Sequence, residues 1–164
     1  MSEFAGDIDN SEMPIHSKRL GRELAMEFLF GCELREEIPG SAGFEQFLET
    51  ARDEFQMKEN RQGRRAEEYA RKLYECVTLE RDSIDEIICR YCENWAWERL
   101  SHVDRNIMRV AVAEMRSFPE VPKIVCIDEA VEIARDFSGS EAGNFINGVL
   151  NAIKNREFSA PAQQ

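Results

Sequence analysis

The sequence has no uninterrupted apolar run long enough to cross a membrane. A transmembrane helix needs about 20 consecutive apolar residues, and no stretch of the 164-residue chain approaches that length. The opening segment MSEFAGDIDNSEMPIH also lacks Lys, Arg and any apolar stretch, all of which a secretory signal uses. We therefore expect neither membrane insertion nor export.

Cysteine and histidine are too few and too scattered for a convincing metal site. Five cysteines in a chain without an export signal indicate reduced thiols and a cytoplasmic location. Cys89 and Cys92 form a C-x-x-C pair, but a zinc site needs two further ligands and no second close pair of Cys or His exists. Because Cys92 lies on an apolar stripe, we predict a buried structural cysteine and no metal or cofactor. A metal or redox role is the alternative, and it rests on this motif alone.

Patterns typical of enzymes are absent as well. There is no glycine-rich loop of the kind that cradles nucleotide phosphates. No serine, histidine and acid are arranged for nucleophilic catalysis. The acid-rich helix faces, such as Asp85-Glu86, are typical of solvated surfaces. The sequence therefore predicts a protein that is not an enzyme.

A basic excess is missing from the chain as a whole. The formal net charge is -11 and the pI is about 4.8, which argues against indiscriminate nucleic-acid binding. Basic residues nevertheless cluster in two places, Lys18, Arg19 and Arg22 near the start and, further on, Lys58, Arg61, Arg64, Arg65, Arg71 and Lys72. The sign of the net charge alone decides nothing about the partner.

Along most of the chain, the apolar residues recur with the period of an α-helix. Apolar residues recur at spacings of three and four in about seven segments, as Leu20, Leu24 and Phe28 do in the first. No window shows sustained strand-like alternation, and there is no internal repeat. The pattern predicts an all-α fold with a single domain over residues 17–156, between a disordered acidic tail at 1–16 and a disordered tail at 157–164.

Several residues predict where these helices begin and end. Ser101 to Asp104 has the Ser-x-x-acid form of a capping box and predicts the start of the fifth helix. The prolines of the FPEVP segment (residues 118–122) predict its end. Asp82 or Ser83 is the predicted cap of the fourth helix, which we expect to continue to Trp95.

The basic side of the first helix is the most informative surface feature. Lys18, Arg19 and Arg22 share one side, and Met26 and Phe30 continue along it. Positive charge beside an exposed aromatic ring suits single-stranded RNA, which offers phosphates and unstacked bases. A solvated charged face is the more common meaning of such a pattern.

Two glycines lie inside the pattern of the last helix, and each costs about 1 kcal/mol relative to alanine. We expect Gly148 to permit close contact with a neighbouring helix. Gly143 has two readings of equal weight, helix packing and an uncrowded helix start whose free N–H groups meet RNA.

Four segments together resemble the NusB family of bacterial transcription antitermination factors. NFINGVLNAI (residues 144–153) resembles the family's carboxy-terminal signature, and VPKIVCIDEAVEIARDFSG (121–139) resembles the helix before it. ENWAWERLSHVDRNIMRVAVAEM (93–115) is similar to the central segment, and KRLGRELAMEFLF (18–30) to the arginine-rich first helix. The resemblance runs over about 17–156, in order and spacing.

This resemblance implies both a fold and a function. The implied fold is all-helical, with two packed subdomains. The implied function is binding of the boxA element of ribosomal RNA leaders together with NusE, a small-subunit ribosomal protein, in an antitermination complex on RNA polymerase. It implies neither catalysis nor a cofactor.

Site residues follow from the resemblance position by position. The implied RNA-binding residues are Lys18, Arg19, Arg22, Phe30, Glu141, Asn144 and Phe145. Asp104 matches an acidic position on the side that meets NusE. We expect the start of the last helix to lie beside the cationic flank of the first, so that they form one RNA-binding patch.

The chain also departs from the family pattern. Leu20 and Gly21 interrupt the arginine run, Ile124 stands where many members have Lys, and Asn144 stands where a basic residue is common. Each lost cation lowers the salt-dependent part of RNA affinity. We therefore expect weak RNA binding without the partner, and the alternative is a diverged protein-interaction module with little or no RNA binding.

Overall fold

The computed structural model describes residues 15–54, 60–92 and 96–159. That part of the chain contains seven α-helices and no β-strand, which confirms the predicted all-α fold. The helices are α1 Ile15–Leu34, α2 Ser41–Glu54, α3 Arg61–Leu79, α4 Arg81–Tyr91, α5 His102–Ser117, α6 Lys123–Ser138 and α7 Ser140–Glu157, with a short 3-10 helix at Trp97–Arg99 before α5. The predicted tails lie mostly outside the described residues.

Helix α5 is the centre of the fold. Every residue from Arg105 to Met115 is buried, including the polar ones. On one side of α5 the helices α1 and α3 pack against each other, with α2 beside α1; on the other side α6 pairs with α7, and α4 packs against α5 and α7. This arrangement confirms the two packed subdomains that the resemblance implies.

Close packing of α1 on α3 explains one departure from the family pattern. A Cβ at Gly21 would lie 2.9 Å from Tyr69 Cβ and 3.0 Å from the Ala66 carbonyl oxygen. One to two turns later the rings of Phe28 and Tyr74 meet edge to face, with centroids 4.9 Å apart. The second contact lies further along both helices than the first, so α1 and α3 run parallel. Their amino-terminal ends therefore lie at the same end of the pair.

The helix boundaries follow local signals in most places. The backbone N–H of Asp104 donates to Ser101 Oγ at 3.0 Å, which confirms Ser101 as the cap of α5. Helix α5 ends at Ser117, before the predicted stop, and α6 begins at Lys123. The prediction for α4 was wrong, because the helix begins at Arg81 and its preceding residue Glu80 makes no side-chain cap. Trp95 lies outside the described residues.

The structure contradicts the expected role of one glycine of α7 and decides between the two expected roles of the other. Gly148 is exposed, and a Cβ there would meet nothing within 4 Å, so the predicted close helix contact is wrong. Gly143 is buried, and a Cβ there would lie 2.7 Å from Arg135 Cγ, which favours the packing role. Gly139 joins α6 to α7 with φ at 96°, a conformation that side chains disfavour.

Cys89 and Cys92 differ in their exposure to solvent. Cys92 is 5% exposed within the core, as predicted, and burial raises the pKa of its thiol to about 11. Cys89 is exposed. Among the described residues, no group of three or more His, Cys, Asp or Glu side chains is placed to hold a metal ion. Nor is any helix in those ranges long and apolar enough to cross a bilayer.

Candidate nucleic-acid interface

Arg22 is not part of an exposed basic face, so this part of the sequence prediction was wrong. Arg22 is 3% exposed, and its Nε donates to both carboxylate oxygens of Glu114, at 2.9 and 3.0 Å. Glu114 is itself fully buried and also accepts from the hydroxyl of Tyr69. Burial opposes the arginine charge, but the Glu114 carboxylate outweighs it and raises the pKa of Arg22. Arg22 therefore joins α1 to α5 inside the core.

Arg19 is committed to acidic partners on two helices. It forms ion pairs with Glu23 at 2.8 Å, Asp136 at 2.8 Å and Glu129 at 3.4 Å. These contacts neutralise its charge and tie the start of α1 to α6. Lys18, unlike Arg19 and Arg22, forms no ion pair with any described residue.

The two apolar residues of the predicted face are also separated from Lys18. Met26 is 2% exposed and belongs to the core, contrary to the prediction. Phe30 is partly buried and packs against the core. It lies one turn before Glu33, which pairs with Arg105 of α5, so Phe30 lies towards the start of α5. Along α1 it is about 18 Å from Lys18, at 1.5 Å per residue.

Glu33 connects the end of α1 to the start of α5, a role that no sequence pattern predicted. Its carboxylate accepts hydrogen bonds from Arg105 at 3.1 Å, Asn106 at 2.8 Å and Arg109 at 2.9 Å. Burial would raise the pKa of Glu33, but Arg109 and the other donors outweigh it and lower that pKa. The ionised carboxylate thus holds the first turns of α5 against the end of α1. No local pattern marks Glu33, because its partners lie more than seventy positions away.

Three of the predicted site residues meet in one groove. Asp104 at the start of α5 and Glu141 and Phe145 at the start of α7 line a surface groove of about 380 Å³. The other lining residues are Arg99, Leu100, Ser101, Ser138 and Ala142. The structure therefore combines a residue predicted to meet the partner protein with two predicted to meet RNA. Asn144 is exposed on the same turn of α7 but does not line the groove.

The side chains of the groove suit a ligand that carries both a hydrogen-bond donor and a flat ring. Asp104 Oδ1 is shielded from solvent and has no hydrogen-bond partner in the described part of the protein. Phe145 is partly exposed and adds an aromatic surface, while Glu141 is exposed and adds a second carboxylate. Carboxylates accept from the amino groups of bases, and aromatic side chains stack on unpaired bases. Phosphates, in contrast, are repelled by two carboxylates.

Arg99 is a groove residue that the sequence analysis did not identify. It is exposed and lies in the 3-10 helix that leads into α5. It forms no ion pair with any residue in the described ranges. Its position beside the two acids supplies one cation at the groove edge, and the segment's resemblance to the family offered the only signal for it.

The structure brings the start of α1 to the end of α6, which leads into α7, but it does not place Arg22 on the expected patch. The start of α7 faces the start of α5, whereas α1 reaches α6 through the Arg19–Asp136 pair. Arg22, the residue meant to join the two surfaces, is in the core. The interface therefore consists of the groove and the cationic start of α1, which Arg19 ties to the end of α6.

Comparison with known proteins identifies a family model and similar sequences. A family model described as the NusB family matches residues 19–155. The transcription antitermination protein NusB of Desulfotalea psychrophila is 39% identical over 142 residues, which cover 84% of this chain and 94% of that protein. NusB of Myxococcus xanthus is 34% identical over 137 residues, with the same two coverages.

Solved structures agree with the sequence comparison. T. maritima NusB superposes with a TM-score of 0.69 at 34% identity, covering 85% of this chain and 91% of that one. A chain from a crystal structure of NusB and NusE in complex with dsRNA superposes with a TM-score of 0.70 at 28% identity, covering 85% and 97%.

Proposed function

The chain belongs to the NusB family, and on that premise we propose that it is a transcription antitermination protein that binds RNA and NusE and catalyses no reaction. Its target is a boxA-like single-stranded RNA of ribosomal RNA leaders, and its setting is the antitermination complex on cytoplasmic RNA polymerase. Support comes from relatives named transcription antitermination protein and from a similar chain solved with NusE and dsRNA.

The groove between α5 and α7 is the observation that carries this proposal. Phe145 stacks on an unpaired base, and Glu141 accepts from its amino group, because a carboxylate with an adjacent ring reads base edges rather than phosphates. Asn144 contributes a neutral contact on the exposed side of the same turn. Phe30, towards the start of α5, adds a second apolar surface next to this end of the protein.

Asp104 is the proposed contact with NusE. Its Oδ1 has no partner in the described residues, and a buried carboxylate oxygen without a donor costs free energy. A donor from a docked protein removes that cost. Because Asp104 shares the groove with Phe145, NusE and RNA bind side by side and each strengthens binding of the other.

Fluorescence anisotropy tests the RNA part of the proposal. We expect Phe145→Ala to weaken binding of a labelled boxA-like RNA about tenfold or more, since stacking on one base contributes about 1–3 kcal/mol. Phe158→Ala, which removes a partly buried ring at the other end of α7, is the matched control and leaves RNA affinity unchanged. Equal affinity of wild type and Phe145→Ala would contradict the assignment of the groove.

A protein-interaction module is the second candidate function, and one observation favours it. Arg19 and Arg22 form ion pairs with acids of this chain, so they add little to phosphate binding. Anisotropy with and without NusE separates the two functions. RNA affinity that rises when NusE is added supports the adaptor, whereas NusE binding with no RNA binding at low salt supports the interaction module.

A further inference from the structure

The start of α3 carries three arginines that have no ion-pair partner among the described residues. Arg61 and Arg64 are exposed and Arg65 is partly buried, and none of the three pairs with an acid among the described residues. The nearest acids along the helix are already engaged, because Glu67 pairs with Arg52 and Glu68 with Arg71. No described acid therefore compensates these three neighbouring positive charges, in a protein whose formal net charge is -11.

Several other arginines at the surface are ion-paired. Arg71, Arg90 and Arg116 each form an ion pair with a glutamate of another helix or of a neighbouring segment. An acidic chain has ample carboxylates to neutralise its cations, and it does so at these positions. At the start of α3 it does not, so this surface presents a strong local positive field.

One nitrogen of Arg65 also lacks a hydrogen-bond acceptor among the described residues. Its Nε is shielded from solvent and has no partner in the described parts of the chain. A donor left without an acceptor costs about 1–3 kcal/mol. The guanidinium fork of arginine matches the paired oxygens of a phosphate, which makes a phosphodiester a suitable acceptor.

Helix packing joins these arginines to Lys18. Gly21 abuts the carbonyl of Ala66, and α1 runs parallel to α3. Lys18 lies one turn before Gly21, and Arg65 immediately precedes Ala66. Lys18 therefore lies at the same end of the helix pair as the three arginines.

We propose that Lys18, Arg61, Arg64 and Arg65 form a phosphate-binding surface, the α1–α3 cationic end, which holds the RNA backbone while the groove binds bases. This inference rests on the proposed RNA-binding function and adds to it a set of residues on α3. The surface replaces Arg19 and Arg22 as the source of phosphate contacts. It binds RNA without regard to sequence, since phosphates carry no sequence information.

Salt titrations of RNA binding test the proposal. We compare wild type with the triple variant Arg61→Gln, Arg64→Gln, Arg65→Gln, using a labelled boxA-like RNA and a labelled poly(U) of equal length. Each phosphate contact on a single strand contributes about 0.7 to the slope of log affinity against log salt. The triple variant should therefore lower that slope by about 2, and should do so equally for both RNAs.

A matched control removes the same charge from paired positions. The variant Arg71→Gln, Arg90→Gln, Arg116→Gln lowers the net charge equally, but its arginines are already ion-paired, so its slope stays that of wild type. Because Arg65 is partly buried, the double variant Arg61→Gln, Arg64→Gln is measured as well. It should lower the slope by about 1.4, and circular dichroism confirms that each variant is folded.

The outcomes separate this inference from the proposed function. If wild type binds RNA and the α3 triple variant keeps the same slope, the cationic end is overturned while RNA binding stands. If the control triple lowers the slope as much, the effect is one of net charge, and the inference is also overturned. If wild type binds neither RNA, both proposals fail. Tighter binding of labelled polyglutamate than of either RNA would assign the surface to acidic polypeptides and overturn the inference.

Discussion

Arg22 Nε donates to both carboxylate oxygens of Glu114 inside the core, at 2.9 and 3.0 Å, across a sequence separation of 92 residues. The pair links the first helix to the central one, and Tyr69 of α3 joins it through its hydroxyl. An arginine that looks like an RNA ligand in the sequence is therefore a structural residue. Mutation of Arg22 therefore acts mainly on the stability of the fold rather than directly on binding.

Removal of one member of this pair should destabilise the fold strongly. We expect Arg22→Met to lower the free energy of unfolding by about 3–5 kcal/mol, because Glu114 is then left buried without its cation. Replacement of both residues by Met should cost less than the sum of the single changes. Urea denaturation followed by circular dichroism measures these values.

Arg90→Met is the control for that series. Arg90 pairs with Glu86 and Glu157 on the exposed surface, where ion pairs contribute less than about 1 kcal/mol. A loss of under 1 kcal/mol in Arg22→Met would show that the core pair is not needed for stability.

Glu27 should make stability depend on pH near neutrality. Burial raises the pKa of its carboxyl to about 7, and Glu54 and Glu23 add to the increase. The pKa in the folded protein is above that in the unfolded chain, so the folded state binds the proton more tightly. Stability therefore falls as the pH rises from about 4.5 to about 7, and the penalty is complete above that range.

Glu27→Gln removes this penalty. We expect the variant to be more stable than wild type by about 1 kcal/mol at pH 8, after allowance for solvent screening of a half-buried group, and to show a smaller difference at pH 5. Thermal denaturation at the two pH values measures it. Glu49→Gln, which removes an exposed carboxylate from α2, is the control for net charge. A difference that is the same at pH 5 and pH 8 would refute the prediction.

Two glycine substitutions should have opposite effects. Gly21→Ala places a methyl group 2.9 Å from Tyr69 and should destabilise the fold by about 1–3 kcal/mol through overpacking. Gly148→Ala meets open space in the middle of α7 and should stabilise it by about 1 kcal/mol. Thermal denaturation of both variants checks the signs, and a stabilising Gly21→Ala would contradict the close α1–α3 contact.

The neighbouring cations Lys18 and Arg19 should contribute differently to RNA binding. Arg19 is paired with three acids, whereas Lys18 is paired with none of the described residues. We expect Lys18→Gln to lower the salt slope of RNA binding by about 0.7, and Arg19→Gln to change it less. Anisotropy titrations over a range of salt concentrations measure both. A larger effect from Arg19→Gln would mean that RNA displaces its acidic partners.

Much of the fold was predictable from local patterns. The helical period identified the seven α-helices of the described residues, Ser101 marked the start of α5, and the prolines after Phe118 marked the turn to α6. The start of α4 was missed because Glu80 and Arg81 carry no capping signal. The role of Gly148 was missed because a glycine looks the same in sequence whether it faces a helix or open solvent.

The candidate site was predictable only in part. Glu141, Phe145 and Asp104 came from the resemblance, and the structure brings them into one groove. Arg99 and Glu33 were not identified, since their importance depends on residues far away in the chain. The arginines at the start of α3 were visible in the sequence as a basic cluster, but their lack of partners became apparent only in three dimensions.

The sequence by itself determined the helices, most of their ends and the family, because periodicity, capping and motif spacing are local properties of the chain. The tertiary structure alone decided which charges face outward. Whether an arginine is free or buried depends on the acids that other helices bring to it, as Glu114 is brought to Arg22 and no acid of the described chain to Arg64. Exposure and charge pairing arise from packing between distant segments, and no window of sequence contains them.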